Sequence, residues 1–196
     1  MWKVNEIFHS LQGEGYNTGT ACVFIRLSGC NLRCNFCDTQ HEQGSMMSLP
    51  QIIEEVMRYP LAPFIVITGG EPALQVNDDF INGLKTATGK RIAIETNGTL
   101  PLPNGIDWVT CSPKGGLGGN GKLALVITRC DELKVVYVGQ DLTQYNGIQA
   151  THRFLQPCWT SDIDTAKANM AATVQAVLDH PEWRLSLQTH RVLGIR

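Results

Sequence analysis

Short, nearly continuous apolar runs recur along the chain. They are ACVFIRL (21–27), FIVIT (64–68), RIAIE (91–95), WVT (108–110), LKVVYV (133–138), RFLQP (153–157) and RLSLQ (184–188). Runs of β-branched and aliphatic residues with little polar alternation predict strands covered on both faces, as in a parallel sheet. Between some of them the period becomes helical. Ser48 stands at a helix N-cap position, with Pro50 in the first turn and Ile52, Ile53, Val56 and Met57 on one face. The span Asp78–Thr88 carries Phe80, Ile81 and Leu84 before a Gly89 stop. A third span, 165–180, sets Met170, Val174, Val177 and Leu178 at helical spacing before Pro181. Stretches 98–107 and 115–121 are rich in Gly and Pro and read as loops. Strands alternating with helices predict an α/β fold with a parallel sheet. With 196 residues, the chain is short of the roughly 250 of a complete eight-fold barrel. A partial (β/α)6-type barrel, with some helices shortened or lost, fits the length. No repeat or Pro/Ser-rich linker divides it, so residues 1–196 are expected to form one domain.

Composition narrows the function. Hydrophobic residues are 43% and charged residues 17%, which excludes a disordered chain. A formal charge of −2 argues against nucleic acid as the main partner. The N-terminus MWKVNEIFHSLQGEG has no apolar signal region, and no apolar run is long enough to span a bilayer. A cytoplasmic location without membrane attachment is expected. Seven cysteines, an odd number, are then expected to serve metal binding or catalysis and not disulfides.

Polar or Gly residues close five of the runs: FIRLSGCNLRC, ITGGEP, IETNG, VTCSPK and FLQP. In barrel-like α/β folds the carboxyl ends of the strands carry the site, so these five ends can meet at one pocket. Cys30, Cys34 and Cys37 form C-x3-C-x2-C in the first of them. Three thiolates so close in sequence can hold a [4Fe–4S] cluster and leave one iron open for a small molecule. Zinc is the rival, because His41 would complete a Cys3His set. Cys22, Cys111, Cys130 and Cys158 are scattered and read as core residues. GLGGNGK (116–122) fits two phosphate-loop patterns, but Leu123 stands where the magnesium-binding Ser or Thr is needed, so it reads as a loop.

GCNLRCNFCDT resembles the cluster loop of radical S-adenosylmethionine enzymes, and TGGEP their glycine-rich motif. The order SLQGEG, GCNLRCNFCDT, TGGEP, ETNGT, SPK, LQP and WRLSLQTH is similar, almost end to end, to the 7-carboxy-7-deazaguanine synthases. The resemblance implies a partial radical SAM barrel and a homodimer with short N- and C-terminal extensions at the substrate site. It implies a carbon–nitrogen lyase that contracts 6-carboxy-5,6,7,8-tetrahydropterin to 7-carboxy-7-deazaguanine with loss of ammonia, towards queuosine and related deazapurines. In it a 5′-deoxyadenosyl radical would abstract hydrogen from the pterin C6. The implied cofactors are the [4Fe–4S] cluster, S-adenosylmethionine and Mg2+. The implied electron donor is a flavodoxin or ferredoxin.

Residue by residue, the resemblance gives Cys30, Cys34 and Cys37 to the cluster and Thr39 to Mg2+. It gives Phe36, Cys37, Asp38, Gly70, Glu71, Glu95, Asn97, Ser112, Pro113, Lys114 and Gln156 to S-adenosylmethionine, with Glu95 and Asn97 on its ribose. Leu11, Gln12, Gly13, Arg26, Thr68 and His190 go to the pterin. No further catalytic side chain is expected. Arg26 has an argument of its own: an inward Arg in an apolar strand needs an anionic partner, and a substrate carboxylate is one. The blander alternatives are a surface Arg26, a structural His190, an ordinary turn at Asn97-Gly98 and a turn threonine at Thr39.

Overall fold

The computed structural model describes residues 1–37, 40–115 and 123–196. In chain order the elements are β1 (Trp2–Leu11), β2 (Ala21–Leu27), β3 (Ser45–Met47), α1 (Leu49–Met57), β4 (Phe64–Gly69), α2 (Asp78–Thr88), β5 (Arg91–Thr96), β6 (Trp108–Cys111), β7 (Arg129–Tyr137), β8 (Gln149–Pro157), α3 (Ile163–Asp179), β9 (Arg184–Leu185) and α4 (Thr189–Leu193). They build one 9-stranded sheet in the order β3-β1-β2-β4-β5-β6-β7-β8-β9. From β2 to β9 every neighbouring pair is parallel, while β1 runs antiparallel to both β2 and β3. Among the described residues the sheet stays open between β3 and β9. This is the partial α/β barrel that the pattern predicts, with helices missing from the β5–β6 connection and reduced to a 3-10 turn, Leu142–Tyr145, between β7 and β8. No helix among the described residues is long and apolar enough to cross a membrane.

Six of the seven apolar runs lie on strands and the seventh, 184–188, is a strand only at Arg184–Leu185; strand alternation divides them between two sides. On the outer side Val23, Ile25, Leu27, Ile65, Ile67, Ile92 and Ile94 pack under α1 and α2. Leu133, Val135 and Leu155 pack with Ala176 of α3, Tyr145 and Trp183. On the inner side Phe8, Cys22, Phe24, Phe64, Val66, Ala93 and Trp108 fill the end where the parallel strands begin. The inner positions near the other end are polar, and that end opens as a cavity.

The helix starts follow their caps. The Gln51 carboxamide oxygen accepts from the Ser48 backbone N (2.8 Å) and Oγ (2.9 Å) at α1. Asn77 Oδ1 accepts from Phe80 N (3.0 Å) at α2, and Gly89 ends that helix at φ 64°. Met57, expected on the buried face of α1, is exposed in its last turn. The structure also turns α3 largely away from its expected face, of which only Val177 packs against the core. Met170, Val174 and Leu178 are exposed, and Thr173 and Ala176 are buried. The small side chains let the helix lie close on β8.

The strand β1 has no clear trace in the sequence pattern. Its register against β2 shifts between Val4 and Glu6, a bulge. Val4 therefore joins the outer core and Phe8 the inner one, although they are four positions apart. A period-of-two reading fails across such a step.

Candidate active site

A single cavity of about 640 Å³ opens at the carboxyl ends of the parallel strands. Its walls include Cys30, Cys34, Phe36 and Cys37 from the loop after β2, and Gly70 from the loop after β4. Asn97, Ser112, Lys114 and Gln156 line it from later strand ends. Leu11, Gln12, Gly13, Arg26, Thr68, Glu95 and His190 line it as well. Two expected residues, Glu71 and Pro113, are not on the wall. Asp38 and Thr39 lie outside the described residues, as does the 116–122 loop.

The cysteine loop and the glycine loop are knit together. Gly70 N donates to Leu27 O (3.1 Å), and Glu71 N donates to Gly29 O (2.9 Å). A Cβ on Gly70 would strike the Gly29 carbonyl and crowd Cys30 Cβ, so only glycine permits this approach. Asn97 Nδ2 donates to Asn31 Oδ1 (2.9 Å), which ties the end of β5 to the same cysteine loop.

The two glutamates expected at the cofactor have different addresses. Glu71 is fully buried. It accepts from Ala73 N (3.0 Å), Thr96 Oγ1 (2.8 Å) and Asn97 N (2.7 Å), and so braces the strand ends from behind. Burial raises its pKa, and those hydrogen bonds oppose the rise. Glu95 faces the cavity between residues expected at the pterin. Its oxygens accept from Gln12 Nε2 (3.0 Å) and Thr68 Oγ1 (2.9 Å).

Arg26 is inward and paired. Its Nε donates to Glu6 Oε1 (2.8 Å), and its guanidinium lies 5.6 Å from the Phe8 ring centroid. Glu6 also meets Arg196. Gly13 is clamped by the C-terminal segment, because Thr189 N and Oγ1 both donate to its carbonyl at 2.9 Å. His190 packs against the same glycine.

Sequence reasoning missed several polar wall residues, among them Glu14, Lys134 and Gln188. Lys134 Nζ donates to Glu14 Oε2 (2.6 Å) and stands 3.6 Å from Glu95 Oε1. Gln188 Nε2 donates to Glu14 Oε1 (2.8 Å). Glu14 is held down to about 2: its burial works against ionisation, but Lys134, Gln188 and His190 together outweigh it. Lys134 is raised, since Glu14, Glu95 and Glu132 together overcome its own burial. Burial lowers Lys114, with Lys134 adding to the effect. A signal was present: a lone Lys inside the apolar run LKVVYV needs a counter-charge, as Arg26 does.

The donor set fits an iron–sulfur cluster. The three thiols face one cavity, and a turn from Cys37 N to Cys34 O (3.1 Å) folds their loop. The His41 Nδ1 beside them is buried without a hydrogen-bond partner. Among the described residues no three His, Cys, Asp or Glu side chains are gathered tightly enough for a single metal ion. Tetrahedral zinc needs that gathering, with Zn–S of about 2.3 Å. A cluster does not, since each thiolate binds a different iron. Burial raises the Cys30 and Cys34 thiols, and iron offsets this by binding the thiolate.

A barrel of this kind with three loop cysteines beside a glycine cradle defines a radical SAM protein, and residues 24–116 match the Radical SAM superfamily profile. That superfamily implies a [4Fe–4S] cluster and S-adenosylmethionine. The chain is 57% identical over 196 residues to a 7-carboxy-7-deazaguanine synthase of Bacteroides thetaiotaomicron, covering 100% of both chains. It is 38% identical over 217 residues to the synthase of Bordetella pertussis, covering 99% of each. The crystal structure of QueE from Escherichia coli matches with a TM-score of 0.74 and 26% identity, over 95% of this chain and 93% of that one. The chain belongs to the 7-carboxy-7-deazaguanine synthase family.

Proposed function

We propose that this chain contracts 6-carboxy-5,6,7,8-tetrahydropterin to 7-carboxy-7-deazaguanine with loss of ammonia, in the route to queuosine and related 7-deazapurines. The observation that carries this reading is the meeting of the SLQGEG loop, the cysteine loop and the LSLQTH segment at one cavity. When bound, the cluster and S-adenosylmethionine supply a carbon-centred radical able to take hydrogen from C6 of the pterin.

The chain's own residues bind, orient and exclude. Cys30, Cys34 and Cys37 hold the cluster. Gly70, Asn97, Ser112, Lys114 and Gln156 line the part of the wall suited to S-adenosylmethionine, and Phe36 lies beside Cys37. Glu71 serves that cofactor from behind, by fixing Thr96 and Asn97. Glu95 belongs with Gln12 and Thr68 on the pterin side. Arg26 takes the pterin carboxylate with a planar, doubly donating guanidinium. Leu11, Gly13 and His190 complete that wall, and Phe8 and Phe24 close it with apolar surface. Thr39 provides a Mg2+ ligand, with Asp38 next to it at S-adenosylmethionine. The molecule works as a single-domain homodimer in the cytoplasm, reduced by a flavodoxin or ferredoxin.

The test is anaerobic incubation of the reconstituted protein with S-adenosylmethionine, a reductant and the carboxylated pterin. Mass analysis is expected to show 7-carboxy-7-deazaguanine and 5′-deoxyadenosine. Cys34→Ala is expected to abolish both while keeping the parent's circular dichroism. 5′-Deoxyadenosine at the parent's rate in that variant would overturn the cluster assignment.

A further inference from the structure

A single buried ammonium stands among three carboxylates on the pterin side of the cavity. Lys134 reaches Glu14 at 2.6 Å and Glu95 at 3.6 Å, and Glu132 lies two residues before it on the same face of β7. Each glutamate is also gripped by neutral groups. Gln188 donates to Glu14, Gln12 and Thr68 donate to Glu95, and Tyr16 N donates to Glu132 at 3.0 Å. The backbone over Glu132 is Gly15, at φ 65°, where a Cβ would run into the carboxylate. The loop is thus shaped around these charges.

We propose that Lys134 is a positioning residue, which keeps Glu14 ionised and holds the Glu14 and Glu95 carboxyl groups in place as acceptors for the N–H-bearing edge of the pterin. This rests on the proposed function above. Without Lys134, Glu14 has lost its cationic partner in a buried site beside other carboxylates, and it takes up a proton. A protonated carboxyl presents a donor where the amino and ring N–H groups of a pterin need an acceptor. The charged and titratable groups facing Glu14 are Lys134 and Glu132 from β7, Glu95 from β5, Lys114 after β6 and His190 of α4. Among the described residues Lys134 makes the ion pair with it.

The experiment measures equilibrium binding of 6-carboxytetrahydropterin to the reconstituted, S-adenosylmethionine-loaded protein, without reductant, between about pH 8 and pH 5.5. Glu14 of the parent stays ionised over that range, so it adds no pH dependence, and the parent's profile is the reference against which the variants are read. Lys134→Met is expected to lose about tenfold more than the parent on acidification, as a raised carboxylate takes its proton. Lys134→Arg, which keeps the charge, restores the parent's profile. Glu14→Gln in the Lys134→Met background removes the titrating group and with it the added pH dependence. A Lys134→Met profile that follows the parent's, or a double variant that keeps the added dependence, overturns the proposal. A second measurement needs no Lys134 variant to fold: the infrared difference between the 13C-glutamate-labelled parent and Glu14→Gln. It isolates the Glu14 carboxyl, and a protonated band at pH 5.5 overturns the proposal. A parent that does not bind the carboxylated pterin at any pH defeats the proposed function instead.

Discussion

Arg26 sits in a strand whose other positions are nearly all apolar, and it faces the cavity beside Glu6. The guanidinium has partners before any substrate arrives, so its cost of burial is already met. Arg26→Ala is expected to lower kcat/KM for the carboxylated pterin at least tenfold, or about 1.4 kcal/mol. Arg26→Lys is expected to recover little of it, because a point charge lacks the planar pair of donors. Steady-state kinetics of the three proteins decide, and unchanged kinetics would remove Arg26 from the site. Glu71 and Glu95 make the complementary point. Glu71 follows β4 and Glu95 is the last residue but one of β5, each in a recognisable motif, yet one is spent inside the wall and the other faces the cavity. Which side a strand-end residue takes depends on how the next turn is braced, and no spacing encodes that.

The helix α2 was legible because every local cue agreed: Asn77 caps it, Phe80, Ile81 and Leu84 share a face, and Gly89 stops it. Leu84 has no exposed surface and packs in the outer core. Leu84→Ala is expected to destabilise the fold by about 3 kcal/mol through lost burial and a residual cavity. Urea unfolding followed by circular dichroism checks the shift, and a loss below about 1 kcal/mol would contradict the packing described. The helix α3 lacked such agreement. Met170, Val174 and Leu178 are exposed, while Thr173 and Ala176 are buried and Val177 packs beside them. Hydrophobic size marks a helix face only where the neighbouring surface has room for it.

Across the whole molecule, the two ends of the chain hold one wall. Thr189 grips Gly13, Gln188 grips Glu14, and Lys134 ties that loop to the parallel sheet. Glu14 is depressed to about 2 in the folded chain, so its contribution to stability is of the acid-lost kind. It is full above the ordinary glutamate range and falls away as pH drops from about 4.5 towards 2. Glu14→Gln is therefore expected to narrow the stability gap between pH 6 and pH 3, read by urea denaturation at each pH. An unchanged gap would show that the pair adds nothing to folding.

The apolar runs by themselves determined a parallel α/β sheet, since buried strands must be written in continuous hydrophobic residues. The cysteine spacing and the strand-end motifs likewise determined the chemistry of the centre, because thiolates meant for one cluster can lie close together along the chain. Only the tertiary structure decided the strand β1, whose bulge breaks its own pattern, and the face that α3 presents. It alone brought Lys134 and Gln188 to Glu14, from 120 and 174 positions away. A lone Lys in an apolar run marks the need for a counter-charge, but which residue meets it is decided only when whole elements pack.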